Sequence, residues 1–315
     1  MCTGISLRII NHAGISYLFC GLFFLLILPL HAQQLKQEDP LASLYHQKKV
    51  KNITAFEQGA ADNEQAKVFY KEYNAAGKLV FELVYAEGGK VVKKYQGVYN
   101  SENRLTKEIW VQDDTDSVTY KYKNGKLTEE SWYWGADKSR TRVVHFFDTI
   151  GRKVCTVSKN SWGVYVDSFF YQNDRILQAK NYNEHGLLNS VTENLYDAKG
   201  RITKALIQDE KGITLQTTNT LYLETGPVKS LETILYAPPS KTNVTAVAAS
   251  MAENYKYDTQ KQLKEVNVQS YTNNELLVNS KTTYVYGDKG LPISQTTQNL
   301  ATSSKQVLRF TYAFF

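Results

Sequence analysis

Leu195-Tyr196-Asp197-Ala198-Lys199-Gly200-Arg201-Ile202-Thr203 is the stretch that decides the fold. An aromatic residue ends one apolar-polar alternation, an Asp-x-x-Gly turn follows, and a basic residue opens a second alternation. Glycine here, and asparagine in sister copies, supply the positive φ of a tight turn. The stretch therefore predicts two antiparallel strands joined by a turn.

Working outward, the same phrase recurs. Phe69-Tyr70-Lys71-Glu72-Tyr73-Asn74-Ala75-Ala76-Gly77-Lys78-Leu79 precedes it, as do Tyr99-Asn100-Ser101-Glu102-Asn103-Arg104-Leu105 and Phe146-Phe147-Asp148-Thr149-Ile150-Gly151-Arg152. The turn aromatics fall at 73, 99, 122, 147, 171, 196, 222, 257, 286 and 312, at intervals of 23 to 29 residues apart from one of 35. A fixed period of this size marks a repeat architecture. Between turns, Val118, Tyr120 and Tyr122 alternate with Thr119, Lys121 and Lys123, the period of a half-buried strand. Each unit reads as a β-hairpin, and helical periodicity is nearly absent. The predicted fold is all-β, an antiparallel meander of about ten hairpins with 18–20 strands. So many strands exceed what an open twisted sheet holds. The sheet is expected to coil into a solenoid, a rolled shell or a closed barrel, and a long coiled or rolled sheet is the form expected here. Cross-strand tyrosine contacts account for the 22 tyrosines without a binding role.

The domain reading follows. Residues 1–32 form a signal peptide: Arg8 and His12, an uncharged run from Tyr17 to Leu30, and a cut after Ala32. Leu18-Phe19 before Cys20 argue against a lipid-attachment site. Residues 33–66 are a lead-in with the first strand, and 67–315 the repeat domain. The interval of 35 reflects an inserted loop, 237–252, opened by Pro238-Pro239. Removal of 1–32 leaves Cys155 as the remaining cysteine and 36 basic against 31 acidic residues, net +5. Without a disulfide framework or a basic block, the expectation is a bacterial periplasm or cell surface and no nucleic-acid partner.

The Tyr196–Ile202 phrase resembles the repeat of YD-repeat (RHS-type) proteins, Tyr-Asp-x-x-Gly-Arg-Leu, with looser copies over about 70 to 312. The resemblance implies an extracytoplasmic β scaffold, linked in that family with carbohydrate binding or with enclosing a toxin domain. Little sequence follows Tyr312, so the comparison is with small exported members.

Chemistry-bearing motifs are sparse. Asp113-Asp114-Thr115-Asp116 lacks the glycine and downstream glutamate of a calcium loop and reads as a solvated turn. His46, His145 and His185 lack metal-ligand spacing. Cys155 has no base beside it in sequence, and no nucleophile elbow or phosphate loop occurs. Glu129 and Glu130 face opposite sides of one strand. No enzyme activity, metal or cofactor is expected. Trp132 and Trp134 share a strand face and offer a stacking surface for sugar rings, or else core. With Pro238, Pro239 and Val244 of the inserted loop, they form the candidate binding residues. The expected function is an exported binding scaffold of the cell envelope, its partner a protein or glycan. An outer-membrane β-barrel, suggested by Leu308, Phe310, Tyr312 and Phe314 alternating to Phe315, is the second reading, and an enzyme on a β scaffold the third.

Overall fold

A computed structural model describes residues 42–58, 65–237 and 246–315. The signal segment lies outside the described residues. A short helix, α1 (Ala42–Gln47), precedes twenty strands. They are β1 (Val50–Gln58), β2 (Gln65–Tyr73), β3 (Leu79–Tyr85), β4 (Val91–Tyr99), β5 (Leu105–Val111), β6 (Thr115–Lys123) and β7 (Lys126–Tyr133). Next come β8 (Arg140–Phe147), β9 (Lys153–Lys159), β10 (Val164–Gln172), β11 (Arg175–Tyr182), β12 (Leu188–Tyr196), β13 (Ile202–Asp209) and β14 (Thr214–Tyr222). The last six are β15 (Val228–Tyr236), β16 (Val247–Tyr257), β17 (Leu263–Thr272), β18 (Glu275–Tyr286), β19 (Pro292–Asn299) and β20 (Lys305–Phe314).

Each strand pairs antiparallel with its sequence neighbour, and β1 also pairs with β20, Ile53 opposite Tyr312 and Ala55 opposite Phe310. The meander is therefore a closed up-and-down barrel, not the coiled or rolled open sheet expected from the repeat. Closure satisfies the backbone groups that two edge strands would leave unpaired, and it leaves no edge for other chains. A circular barrel of 20 strands, about 4.8 Å apart and tilted by ~40°, has a radius of about 20 Å.

The repeat phrase explains how successive hairpins are joined at one rim. At the turns after Tyr73, Tyr99, Phe147, Tyr196 and Tyr257 an Asx side chain accepts from the backbone, for example Asp197 Oδ1 from Arg201 N at 2.9 Å, Asn100 Oδ1 from Arg104 N at 2.9 Å, and Asn74 Oδ1 from Lys78 N at 3.0 Å. Gly200 takes φ +82°, and where the turn lacks glycine Asn103 or Lys261 takes the left-handed conformation. The turn tyrosine donates its hydroxyl to a carbonyl of the first or second strand residue after the preceding turn. Tyr196 bonds Ile176 O at 2.8 Å, Tyr222 bonds Ile202 O at 3.1 Å, and Tyr286 bonds Leu263 O at 2.7 Å. Tyr99, Tyr122, Tyr171, Tyr257 and Tyr312 repeat the bond. The basic residue of one turn stacks on the tyrosine of the next, Arg201 over Tyr222 at 4.2 Å and Arg152 over Tyr171 at 4.9 Å. The ladder is thus a hydrogen-bonded ring as well as a packing one.

Nearly all buried strand residues lie on one face, with Val68 and Thr217 the exceptions. In a closed barrel inner side chains converge and shelter one another, so this is the concave face. The α1 helix packs against it: Tyr45, 6% exposed, meets Tyr73 at 5.6 Å and Tyr312 at 6.4 Å between ring centroids, beside Val50, Ile53 and Leu291. It covers the seam where β1 joins β2 and β20. The inserted loop is shorter than expected: Ala237 N donates to Ala246 O, and β16 begins at Val247, with Ala249 buried on the concave face. Residues 247–252 are ladder, because Val247, Ala249 and Met251 continue the strand alternation.

Candidate functional site

The concave wall of β4 to β11 gathers three of the four tryptophans and most of the buried charge. Register sets Tyr95 opposite Trp110, Glu108 opposite Val118, and Val118 opposite Trp132, all on this face. Trp110 and Trp132 lie parallel, 6.1 Å between centroids and 4° between planes; Trp132 and Trp134 lie 5.6 Å apart at 14°. Tyr95 tilts against Trp110 at 6.0 Å. The three indoles remain half-buried. A filled core would hide them, so this wall is open to the lumen.

Carboxylates on the same face hold Tyr95 and Trp132. Glu108, 2% exposed, accepts from the Tyr95 hydroxyl at 2.8 Å and from the Tyr120 hydroxyl. Burial and the Glu108 charge push both phenols far above their ordinary range. Glu130 accepts from Trp132 Nε1 at 3.1 Å and lies 3.0 Å from His145 Nε2, while His145 Nδ1 meets Thr156 Oγ1 at 3.1 Å. Further round, Asn181 Nδ2 donates to Asp167 Oδ1 at 2.8 Å. Burial raises the Asp167 carboxyl to about 6, against the opposing pull of Asn181, Lys153 and His145. Burial lowers the Lys153 ammonium. Such a network rigidifies the rings it touches, since every half-satisfied member would be costly.

Of the sequence-predicted residues, Trp132 and Trp134 are brought together, as members of a longer platform facing the lumen. Pro238, Pro239 and Val244 lie outside the described residues. Trp110, Tyr95, Glu108 and Asp167 were not singled out from sequence, and Glu130 entered only as one of two adjacent carboxylates on opposite faces. The available signal was spacing: Trp110 precedes Trp132 by 22 residues, close to one repeat. Asp116 Oδ1 accepts from Gly135 N at 2.8 Å, a structural use of the acidic run. Among the described residues no cluster has a metal-ligand arrangement, and no helix is long and apolar enough to cross a membrane.

The outer wall differs. It carries ion-pair triplets that run from the tyrosine rim toward mid-strand: Glu129 with Lys121 at 2.7 Å and Arg142 at 2.6 Å, and Glu265 with Lys256 at 2.8 Å and Lys281 at 2.7 Å. Hydrogen bonds from these partners hold both carboxyls down at about 2.

No family model and no curated protein matches the sequence. Among solved structures, a Tc holotoxin pore of Photorhabdus luminescens aligns at 13% identity over 82% of this chain and 18% of that one, TM-score 0.33. A porin-like protein from Bacteroides uniformis aligns at 10% identity over 84% and 98%, TM-score 0.32, and one from Bacteroides vulgatus at 11% over 84% and 99%, TM-score 0.30. The chain spans about a fifth of the toxin chain. Scores this low do not carry the fold, which rests on the strand pairing.

Proposed function

We propose that the protein is an exported, non-enzymatic β-barrel of the bacterial envelope. Its outer wall faces water, and its concave wall binds a glycan on the Trp110–Trp132–Trp134 platform. The observation that carries the reading is this platform: near-parallel indoles, half-exposed to the lumen, with the central Trp132 held by Glu130 beside it. Rings held rigid lose little entropy on binding, and their apolar faces suit the CH-lined faces of pyranose rings. Charged residues at outward mid-strand positions, Lys94, Arg142, Lys180 and Lys281 among them, support the water-facing part, since a lipid-facing charge at that depth costs about 2–4 kcal/mol.

A second reading, an outer-membrane barrel, is favoured by the closure of an even number of up-and-down strands. Outward apolar residues near the tyrosine rim, such as Val98, Leu195 and Val285, also favour it. Extraction separates the two. The proposal expects release from the envelope without detergent, an N-terminus near Gln33, and quenching of tryptophan fluorescence by members of a glycan panel, lost in Trp132→Ala. Retention in membranes until detergent is added supports the barrel in lipid, and a panel without a single binder removes the glycan.

A further inference from the structure

We propose that the tryptophan platform is one end of an aromatic track along the rim opposite the tyrosine turns, and that its ligand is a linear, uncharged oligosaccharide long enough to reach Trp162 in the turn between β9 and β10. Trp162 is 75% exposed, more than any other large apolar side chain among the described residues. The turn is built to hold it. Asn160 Oδ1 accepts from Trp162 N at 2.9 Å and from Gly163 N at 3.1 Å, and Asn160 N donates to Gly163 O at 3.0 Å. The turn also packs against its neighbour, since a Cβ on Gly163 would fall 2.4 Å from Glu184 Cβ. Other turns of this rim have polar tips, Asp113-Asp114, Glu210-Lys211 and Asn273-Asn274, so the repeat does not demand an indole here.

The platform ends at this same rim. Trp110 lies one residue from the end of β5, Trp134 directly follows β7, and Trp162 follows β9. With strands about 4.8 Å apart, the span from β5 to β9 is about 19 Å along the rim, more than a single sugar ring covers. Between the indoles, register places Thr141, Val143, Ser158 and Tyr165 on the concave face. The first three are small and all four are uncharged, so a chain can cross from one aromatic group to the next without meeting a bulky or ionic side chain. Each ring bound beyond the platform adds contact without a second loss of translational and rotational freedom, so affinity should grow with ligand length. Charge sets the class. The concave face along the track carries Glu108, Asp116, Glu130 and Asp167 against Lys93 and Lys153, with Asp116 directly opposite Trp110. This acidic excess repels uronic, sialic or phosphorylated units.

The inference rests on the glycan reading and adds to it the length and charge of the ligand. The test titrates the purified protein, by calorimetry, with β-1,4-linked oligomers of glucose, mannose, xylose and N-acetylglucosamine, each as dimer, tetramer and hexamer, and with hexagalacturonate. In the series that binds, the hexamer should bind at least tenfold more tightly than the dimer. Trp162→Ala should bring the hexamer down to the affinity of the dimer and leave the dimer unchanged, while Trp162→Phe keeps most of the gain. Trp132→Ala should weaken dimer and hexamer alike. Equal affinity for dimer and hexamer, a gain that survives Trp162→Ala, or a preference for hexagalacturonate overturns the proposal. Binding of decaproline in place of every sugar reassigns the track to an extended peptide and likewise overturns it. A panel without a single binder refutes the glycan reading, and the track with it. A dimer that binds and is lost in Trp132→Ala, with no gain on lengthening, keeps the platform and refutes the track alone.

Discussion

Removing single hydroxyls from the tyrosine ring separates hydrogen bonding from packing. Tyr222→Phe and Tyr196→Phe each delete one hydroxyl and keep the ring, including the stacked guanidinium of Arg201 at 4.2 Å or Arg175 at 5.6 Å. The acceptors differ. Ile176 O receives Tyr196 at 2.8 Å and also Asn194 Nδ2 at 3.0 Å, so it keeps a donor when the hydroxyl goes. Ile202 O receives Tyr222 at 3.1 Å, and no second side-chain donor reaches it among the described residues. A hydrogen bond contributes about 0.5–1.5 kcal/mol net, and leaving an acceptor unsatisfied costs toward or beyond the upper end. Tyr196→Phe should therefore cost about 0.5 kcal/mol and Tyr222→Phe about 1.5 kcal/mol. The double variant should cost the sum, since β13 lies between the two sites and keeps them about 10 Å apart with different acceptors. Urea unfolding followed by tryptophan fluorescence reads both, with an unchanged slope and shifted midpoints. Equal effects, or a larger loss for Tyr196→Phe, would refute the hydrogen-bonded ring and leave packing alone.

Three further outcomes follow. Asp167 has its carboxyl raised from 3.8 to about 6 by burial, so the folded state binds a proton more tightly than the unfolded one between those values. Stability should rise as pH falls through 6 and level off below about 4, by on the order of 2–3 kcal/mol, and Asp167→Asn should flatten the rise in thermal melts across that window. Glu129 and Glu265 act in the opposite sense lower down: their carboxyls sit at about 2, below an ordinary 4.5, so their stabilisation is lost as pH falls from 4.5 toward 2. Tyr45→Ala empties the space between Tyr73 and Tyr312 at the seam and should cost about 3 kcal/mol. Hydrogen exchange should then quicken in β1 and β20 while β8–β12 hold, and uniform quickening would show that α1 does not act on the seam.

The hairpin, its period and the strand number were legible because each rests on local chemistry. Tyr196, Asp197, Gly200 and Arg201 do their work within one turn and its neighbour, so the phrase could be read where it stands. Closure was not legible. It depends on Ile53 meeting Tyr312, and although both strands alternate, nothing near either names the other. The Trp132–Trp134 face was visible from period-2 spacing, but which face turns inward follows from closure, and Trp110 joins only through the register of β5–β7. Glu129 and Glu130 were correctly set on opposite faces. Their separate fates, an outer ion pair and a support behind an indole, depend on which strands flank β7. The six-residue α1 is too short to show a helical period, and its place is decided by Tyr45 finding the seam.

The central claim is that β1 and β20 close the barrel, and cysteine pairing tests it directly. Thr54 and Thr311 face each other across the seam, while Thr296 and Val307 face each other across the ordinary β19–β20 pair. In a chain whose native cysteines are serine, Thr54→Cys with Thr311→Cys should oxidise to an intrachain disulfide as fully as Thr296→Cys with Val307→Cys. Mass spectrometry would locate both bonds. A control pair that oxidises while the seam pair remains reduced, or joins two chains instead, would contradict the closed barrel.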